Sequence, residues 1–247
     1  MSRAMQLAET GTGPSLLLLH GAGVAGWMWR PVLAELGANA HALVPDLPGH
    51  GSSSDEPYRS HRRTLGKLVE ILEHHAPGGA VVAGFSLGAQ LAILLAATRP
   101  ELVRGVLVIS GQTLPLRMSR VTLALVSASA PLASLPGFAR AQAAQLGIPE
   151  ELLEDYLRDS AVVTRETLVT TVRENLDFRL PPAWSSYPGP AGVLVGARER
   201  RIMLDSARAT HEALPGSTLQ VVEGCGHDLP LRRPELVARA CREALTG

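Results

Sequence analysis

Several features are scarce in this 247-residue chain, and each scarcity excludes something. There are two cysteines, Cys225 and Cys241. That is too few for a disulfide framework, and they lack the C-x-x-C or Cys/His spacing of a metal site. Two reduced thiols in a cytoplasmic protein are expected, with a single bridge as the alternative. Neither sign of charge is in excess, with 23 basic and 23 acidic side chains. A balanced chain offers no electrostatic case for nucleic acid or an anionic membrane. Long apolar runs are also missing. The opening MSRAMQLAETGTG has no apolar core of a secretory signal. The most apolar stretch, VTLALVSASAPLASL at 121–135, contains Pro131 and falls short of the roughly 20 residues of a membrane span. It reads as part of a buried or capping helix. Aromatics number three each of Phe, Trp and Tyr, so a binding pocket is expected to be lined by aliphatic and small residues. No internal repeat or low-complexity tail is present.

What remains is 46% hydrophobic residues in a chain long enough for one sizeable core. In the first half, short apolar runs alternate with helical patterns. Strands are expected at SLLLLHG (15–21), HALVPDLPGHG (41–51, entering a Pro/Gly loop), AVVAG (80–84) and VRGVLVIS (103–110). Helices are expected at WMWRPVLAELG (27–37), LGKLVEILEHH (65–75) and LGAQLAILLAATRP (87–100). Apolar strands alternating with helices predict an α/β fold with a mostly parallel sheet covered on both faces. From about Gln112 to Tyr187 the reading is helical throughout. Alternation then resumes with AGVLVGA (191–197), DSARATHEALPG (205–216), STLQVVEG (217–224) and PELVARACREAL (234–245). The expected organisation is a core of residues 1–111 and 188–247 with a helical cap, 112–187, inserted over the sheet's carboxyl edge.

Three short motifs carry chemistry. Gly84-Phe85-Ser86-Leu87-Gly88 is a G-x-S-x-G between a strand and a helix. There the tight turn would project the serine hydroxyl beside a helix N-terminus that favours negative charge. The plain alternative is a strand–helix turn with a capping serine. HGAG at 20–23 follows a strand, and its backbone N–H groups would face a cleft. Ala22 and Leu87 N–H are the candidate donors to an oxyanion. His20 itself is read as structural. His227, in EGCGHDLPLRRPE (223–235), lies on a Gly-rich loop after the serine in chain order. As a neutral imidazole it would take the serine proton and return it to the leaving group. An isolated loop histidine is otherwise a surface residue.

Together these residues resemble the α/β-hydrolase fold family, in its small, capped branch. The resemblance runs over nearly the whole chain and rests on HGAG, DLPGHGSS (46–53), GFSLG, GARE (196–199) and GCGHDLP (224–230). It implies the order serine, acid, histidine, and it places the acid at Glu199, where the family more often has Asp. Glu is one methylene longer, so its turn must sit farther back to reach His227. The other family position, after the preceding strand, reads VISGQT and holds no acid. Asp205, which looks like a helix N-cap, Asp228 beside the histidine, and an unusual or missing acid remain the alternatives. Asp46 and His50 match a loop the family uses for structure. Arg198, Arg200 and Arg201 flank Glu199. Nearby cations favour its ionised form, although an ion pair from Arg198 would pull it away from His227. Arg200 and Arg201 also read as a solvated basic turn.

The resemblance implies a serine hydrolase acting on ester, thioester or lactone carbonyls by a Ser86–His227–Glu199 triad. The alternatives are a C–C bond hydrolase, a lyase or another tailoring enzyme on the same fold, or a low-turnover ligand-binding protein. Trp27, Met118 and Leu123 are candidates for substrate binding. No cofactor and no metal are expected. The partner is a small-molecule substrate, with no nucleic acid or membrane, and the chain is expected as a monomer or homodimer.

Overall fold

The computed structural model describes residues 5–116 and 135–246. Seven strands form one sheet: β1 (Leu7–Thr10), β2 (Ser15–Leu19), β3 (His41–Pro45), β4 (Ala80–Phe85), β5 (Val103–Ile109), β6 (Ala191–Gly196) and β7 (Thr218–Val222). Their spatial order is β1-β3-β2-β4-β5-β6-β7. Every pairing is parallel except β1 with β3.

The period of two along each strand sends successive side chains to opposite layers. Leu17, Leu19, Val82, Val106, Val108, Val193 and Val195 face one core. There they meet α2 (His61–His75), α3 (Leu87–Thr98) and α7 (Arg201–Glu212). Leu16, Leu18, Val81, Ala83, Leu107, Ile109 and Leu194 face the other. That side is covered by α1 (Arg30–Leu36) and α9 (Pro234–Thr246), with the short α8 (Leu229–Arg232) beside them. Burial on both faces is why these strands read as unbroken apolar runs. The sheet carries the expected α/β fold.

The chain leaves β2 towards β3 on one side, whereas β4 pairs with β2 on the other. The direction of winding therefore switches at β2 and β4, and the crevice beyond their carboxyl ends is where open α/β sheets bind ligands. Between β5 and β6 the described residues add three helices, α4 (Pro136–Gln145), α5 (Glu150–Val162) and α6 (Arg165–Asp177). They lie inside the block expected as a cap. Met118, Leu123 and most of the 121–135 stretch fall outside the described residues. Among the described residues, no helix is long and apolar enough to cross a membrane.

Three details differ from the sequence reading. Strand β1 has no sequence counterpart, because only one of its four residues is even half-buried and it shows no alternation. Trp27 and Trp29 sit in a 3-10 turn, Gly26–Trp29, and α1 begins only at Arg30. Helix α7 starts at Arg201, four residues before Asp205, so Asp205 is not its N-cap. Burial of Met203 pulls the helix back, and Asp205 is held within it by Arg201 and Arg208.

Candidate active site

Ser86 lies between β4 and α3, and its backbone is at φ 54°, ψ −111°. A non-glycine residue in this region carries roughly 1–3 kcal/mol of strain. The turn is tight enough to demand both flanking glycines. A Cβ on Gly84 would lie 2.1 Å from the Gly88 carbonyl oxygen, and one on Gly88 would lie 2.2 Å from that of Leu19. Leu87 is the first helical residue, so its N–H has no place in the helical ladder. The loop after β2 closes on the same point, since a Cβ on Gly21 would touch Phe85 and Ser86 Cβ.

His227 reaches this serine from the loop after β7. Ser86 Oγ lies 3.0 Å from His227 Nε2, and both carboxylate oxygens of Glu199 lie 3.1 Å from Nδ1. With the proton on Nδ1, the ring donates to Glu199 and accepts from the serine hydroxyl. The Glu199 side chain is 3% exposed and that of His227 is 38% exposed. The carboxylate is thus sealed beneath the ring while the ring faces the cleft. Phe85 packs against the imidazole at 4.9 Å between centroids. The loop of Glu199 is tied to the histidine loop by the Arg198 N–H donating to the Cys225 carbonyl, 2.8 Å.

The rival acids are engaged elsewhere. Asp228 accepts from the Gly226 N–H and from Arg232, and Asp205 holds its two arginines. Arg198 makes no ion pair with Glu199. His20 and His50 are buried and structural. The His20 ring donates through Nδ1 to the Gly21 carbonyl, 2.7 Å, and accepts from the Leu47 N–H, 2.9 Å. Burial pushes both imidazoles down, His50 to about 3, against the opposing pull of nearby carbonyls and Asp46. Asp46 accepts from Gly26 and Ser52 N–H and pins the two loops together. Both cysteines are free and buried, and burial pushes the Cys241 thiol up to about 12.

A cavity of about 250 Å³ opens at the serine, lined by Ser86, Gln112, Asn175, Arg198, Glu199, Arg200, Met203 and His227. Gln112, Asn175, Arg198, Arg200 and Met203 were not singled out as lining residues from sequence. Gln112 could have been, since it follows β5 at the carboxyl edge. Asn175 sits in an ordinary amphipathic helix pattern and carried no signal. Trp27 lines a separate groove, which shares no lining residue with this cavity. Its Nε1–H donates to Asp159 Oδ2, 2.7 Å, and its ring stands edge-on to Tyr156, joining the core to α5. Among the described residues no group of three or more His, Cys, Asp or Glu side chains is placed to hold a metal ion.

Comparison with known proteins bears on the family and the fold. An uncharacterised protein of Mycobacterium tuberculosis is 26% identical over 96% of this chain and 77% of its own. A pimeloyl-[acyl-carrier protein] methyl ester esterase from Nitrosomonas europaea is 35% identical, over 43% of this chain and 41% of the esterase. The crystal structure of the enol-lactonase from Burkholderia xenovorans superposes with a TM-score of 0.82. It is 18% identical and covers 98% of this chain and 96% of the lactonase, a likeness of fold. The model of the alpha/beta hydrolase family matches residues 16–240. This chain belongs to the alpha/beta hydrolase family and is a hydrolase.

Proposed function

We propose that the chain is a serine hydrolase that opens ester, thioester or lactone carbonyls through an acyl-enzyme on Ser86. The observation that carries this reading is the continuous hydrogen-bonded line from Ser86 through His227 to Glu199. As Ser86 Oγ bonds to the carbonyl carbon, its proton passes to His227 Nε2. Glu199 holds the ring in the Nδ1–H tautomer and balances the imidazolium. The oxyanion is received by the N–H groups of Ala22 and Leu87 at the positive end of α3. His227 then gives its proton to the leaving oxygen or sulfur. A water, deprotonated by the same nitrogen, releases the acid and restores the serine.

The helices between β5 and β6 serve in this reading as a cap, docked by Trp27 on Asp159 and by the contacts of α6 with α3. The similar proteins named for methyl ester and enol-lactone chemistry act on the same kind of carbonyl. The test is hydrolysis of short p-nitrophenyl esters. Ser86→Ala is expected to remove turnover. Glu199→Gln, which leaves His227 without a balancing charge, is expected to lower kcat by about 10²–10⁴. Full activity in Ser86→Ala would overturn the assignment.

A further inference from the structure

The cavity beside Ser86 carries cations that no side chain among the described residues answers. Arg198 and Arg200 flank Glu199 in the turn between β6 and α7, and both line the cavity. Glu199 is the one carboxylate among the lining residues, and it is committed to His227. Arg201, next in the chain, is paired with Asp205, whereas neither Arg198 nor Arg200 has a side-chain partner among the described residues. Residues 102–149 contain no Asp or Glu at all. Residues 117–134 therefore include no carboxylate side chain. Apart from Met203, the rest of the lining is polar and carries no further carboxylate. Asn175 contributes a buried Oδ1 that has no hydrogen-bond partner among the described residues, and Gln112 lines the same cavity. Met203 is the single apolar side chain of the eight. A pocket built for a plain alkyl chain would not be lined in this way.

We propose that Arg198 and Arg200 bind an anionic group of the substrate, a carboxylate or phosphate, so that the enzyme selects acyl compounds carrying negative charge near the scissile carbonyl. This rests on Ser86 being the nucleophile of the site. Guanidinium groups suit this role because their fixed fork of N–H donors matches both kinds of oxyanion. Their position beside the triad acid places the anion close to the reacting carbon. The neutral polar groups of Asn175 and Gln112 receive the rest of the substrate without competing for the cations.

The test uses two ethyl p-nitrophenyl alkylphosphonates of equal chain length, one ending in a carboxylate and one in a methyl group. Each reacts by forming a Ser86 Oγ–P bond and expelling p-nitrophenolate, with the serine proton going to His227. Inactivation rates are read by intact mass for wild type and for the Arg198→Gln/Arg200→Gln double variant, which keeps polar side chains of moderate length. Wild type is expected to react at least about tenfold faster with the carboxylate probe, the worth of one charge-assisted hydrogen bond. That preference should shrink with added salt and collapse towards one in the double variant. A Ser86 adduct formed at equal rates by both probes would overturn the anion site and leave the nucleophile standing. So would a preference that survives in the double variant. No Ser86 adduct with either probe would overturn the nucleophile and this proposal with it. Replacing the carboxylate by a phosphate monoester of the same length identifies which oxyanion is preferred.

Discussion

Ser86 holds a backbone conformation that side chains rarely adopt, with φ at 54°, and the fold tolerates it because the strand before it and the first two turns of the helix after it are buried. The strain belongs to the backbone, not to the hydroxyl, and can be measured apart from catalysis. Ser86→Ala and Ser86→Gly both remove Oγ, but only glycine relaxes the positive φ. Ser86→Gly is expected to unfold at higher urea than Ser86→Ala, by about 1 kcal/mol once the entropy of the unfolded glycine is discounted. Equal midpoints would mean that the turn is unstrained. The flanking glycines work in the opposite direction, because their hydrogens stand where backbone oxygens pass. Gly88→Ala is expected to cost about 3 kcal/mol or more, read from the same urea curves. At this scale the sequence was most informative. A serine between two such glycines, entered from AVVAG and left through a helix, has a narrow set of geometries. A glutamate three residues past the end of a buried strand stands at a definable place on the carboxyl edge.

Elements placed these residues, and here legibility was uneven. The central strands were readable because burial on both faces leaves few polar residues to blur them. Strand β1 was not, since an exposed antiparallel edge has no apolar face to declare. The start of α7 was misread because Asp205 has the chemistry of a cap, while the helix begins where Met203 must be buried. The docking of the inserted helices could not be read at all, since it depends on pairs of residues far apart in the chain. Trp27 reaches Asp159, and the His61 N–H reaches Glu174. Gln90, one turn along α3 from Ser86, donates to the Gln112 and Asn175 carbonyls. The Trp27 contact is buried, and Asp159 is held above its ordinary pKa chiefly by that burial. Trp27→Phe keeps most of the packing and removes the donor. It is expected to destabilise the protein by about 1–3 kcal/mol, the cost of leaving a buried acceptor short of a partner. A loss well under this would mean that water replaces the indole N–H.

For the whole molecule, two loops meet at the switch point of the sheet, and a pair of neutral histidines joins them. His20 and His50 stand edge to face at 5.3 Å, and each is buried with its folded pKa below 6.5. The unfolded chain therefore binds protons below pH 6.5 that the native state refuses. Stability should fall with decreasing pH from there, down to about 3 in the case of His50. Each histidine contributes a slope of about 1.4 kcal/mol per pH unit within its window. His50→Gln, followed by urea unfolding through this range, is expected to lower the slope by up to that amount. An unchanged slope would mean that His50 is protonated in the fold. This buried pair shows why the loops were legible as structural although their contacts were not. The residue types sat in recognisable turns, but which ring faced which loop is decided only when the sheet brings them together.

All of these features converge on one hydroxyl, so the most direct measurement is covalent labelling of that hydroxyl. Wild type and Ser86→Ala would each be treated with a fluorophosphonate and read by intact mass. A single adduct on wild type and none on the variant is the predicted result, because only a serine relieved of its proton by His227 attacks phosphorus at a useful rate. A folded wild type that stays unlabelled, or a variant that labels equally, would contradict the assignment of Ser86 as the nucleophile.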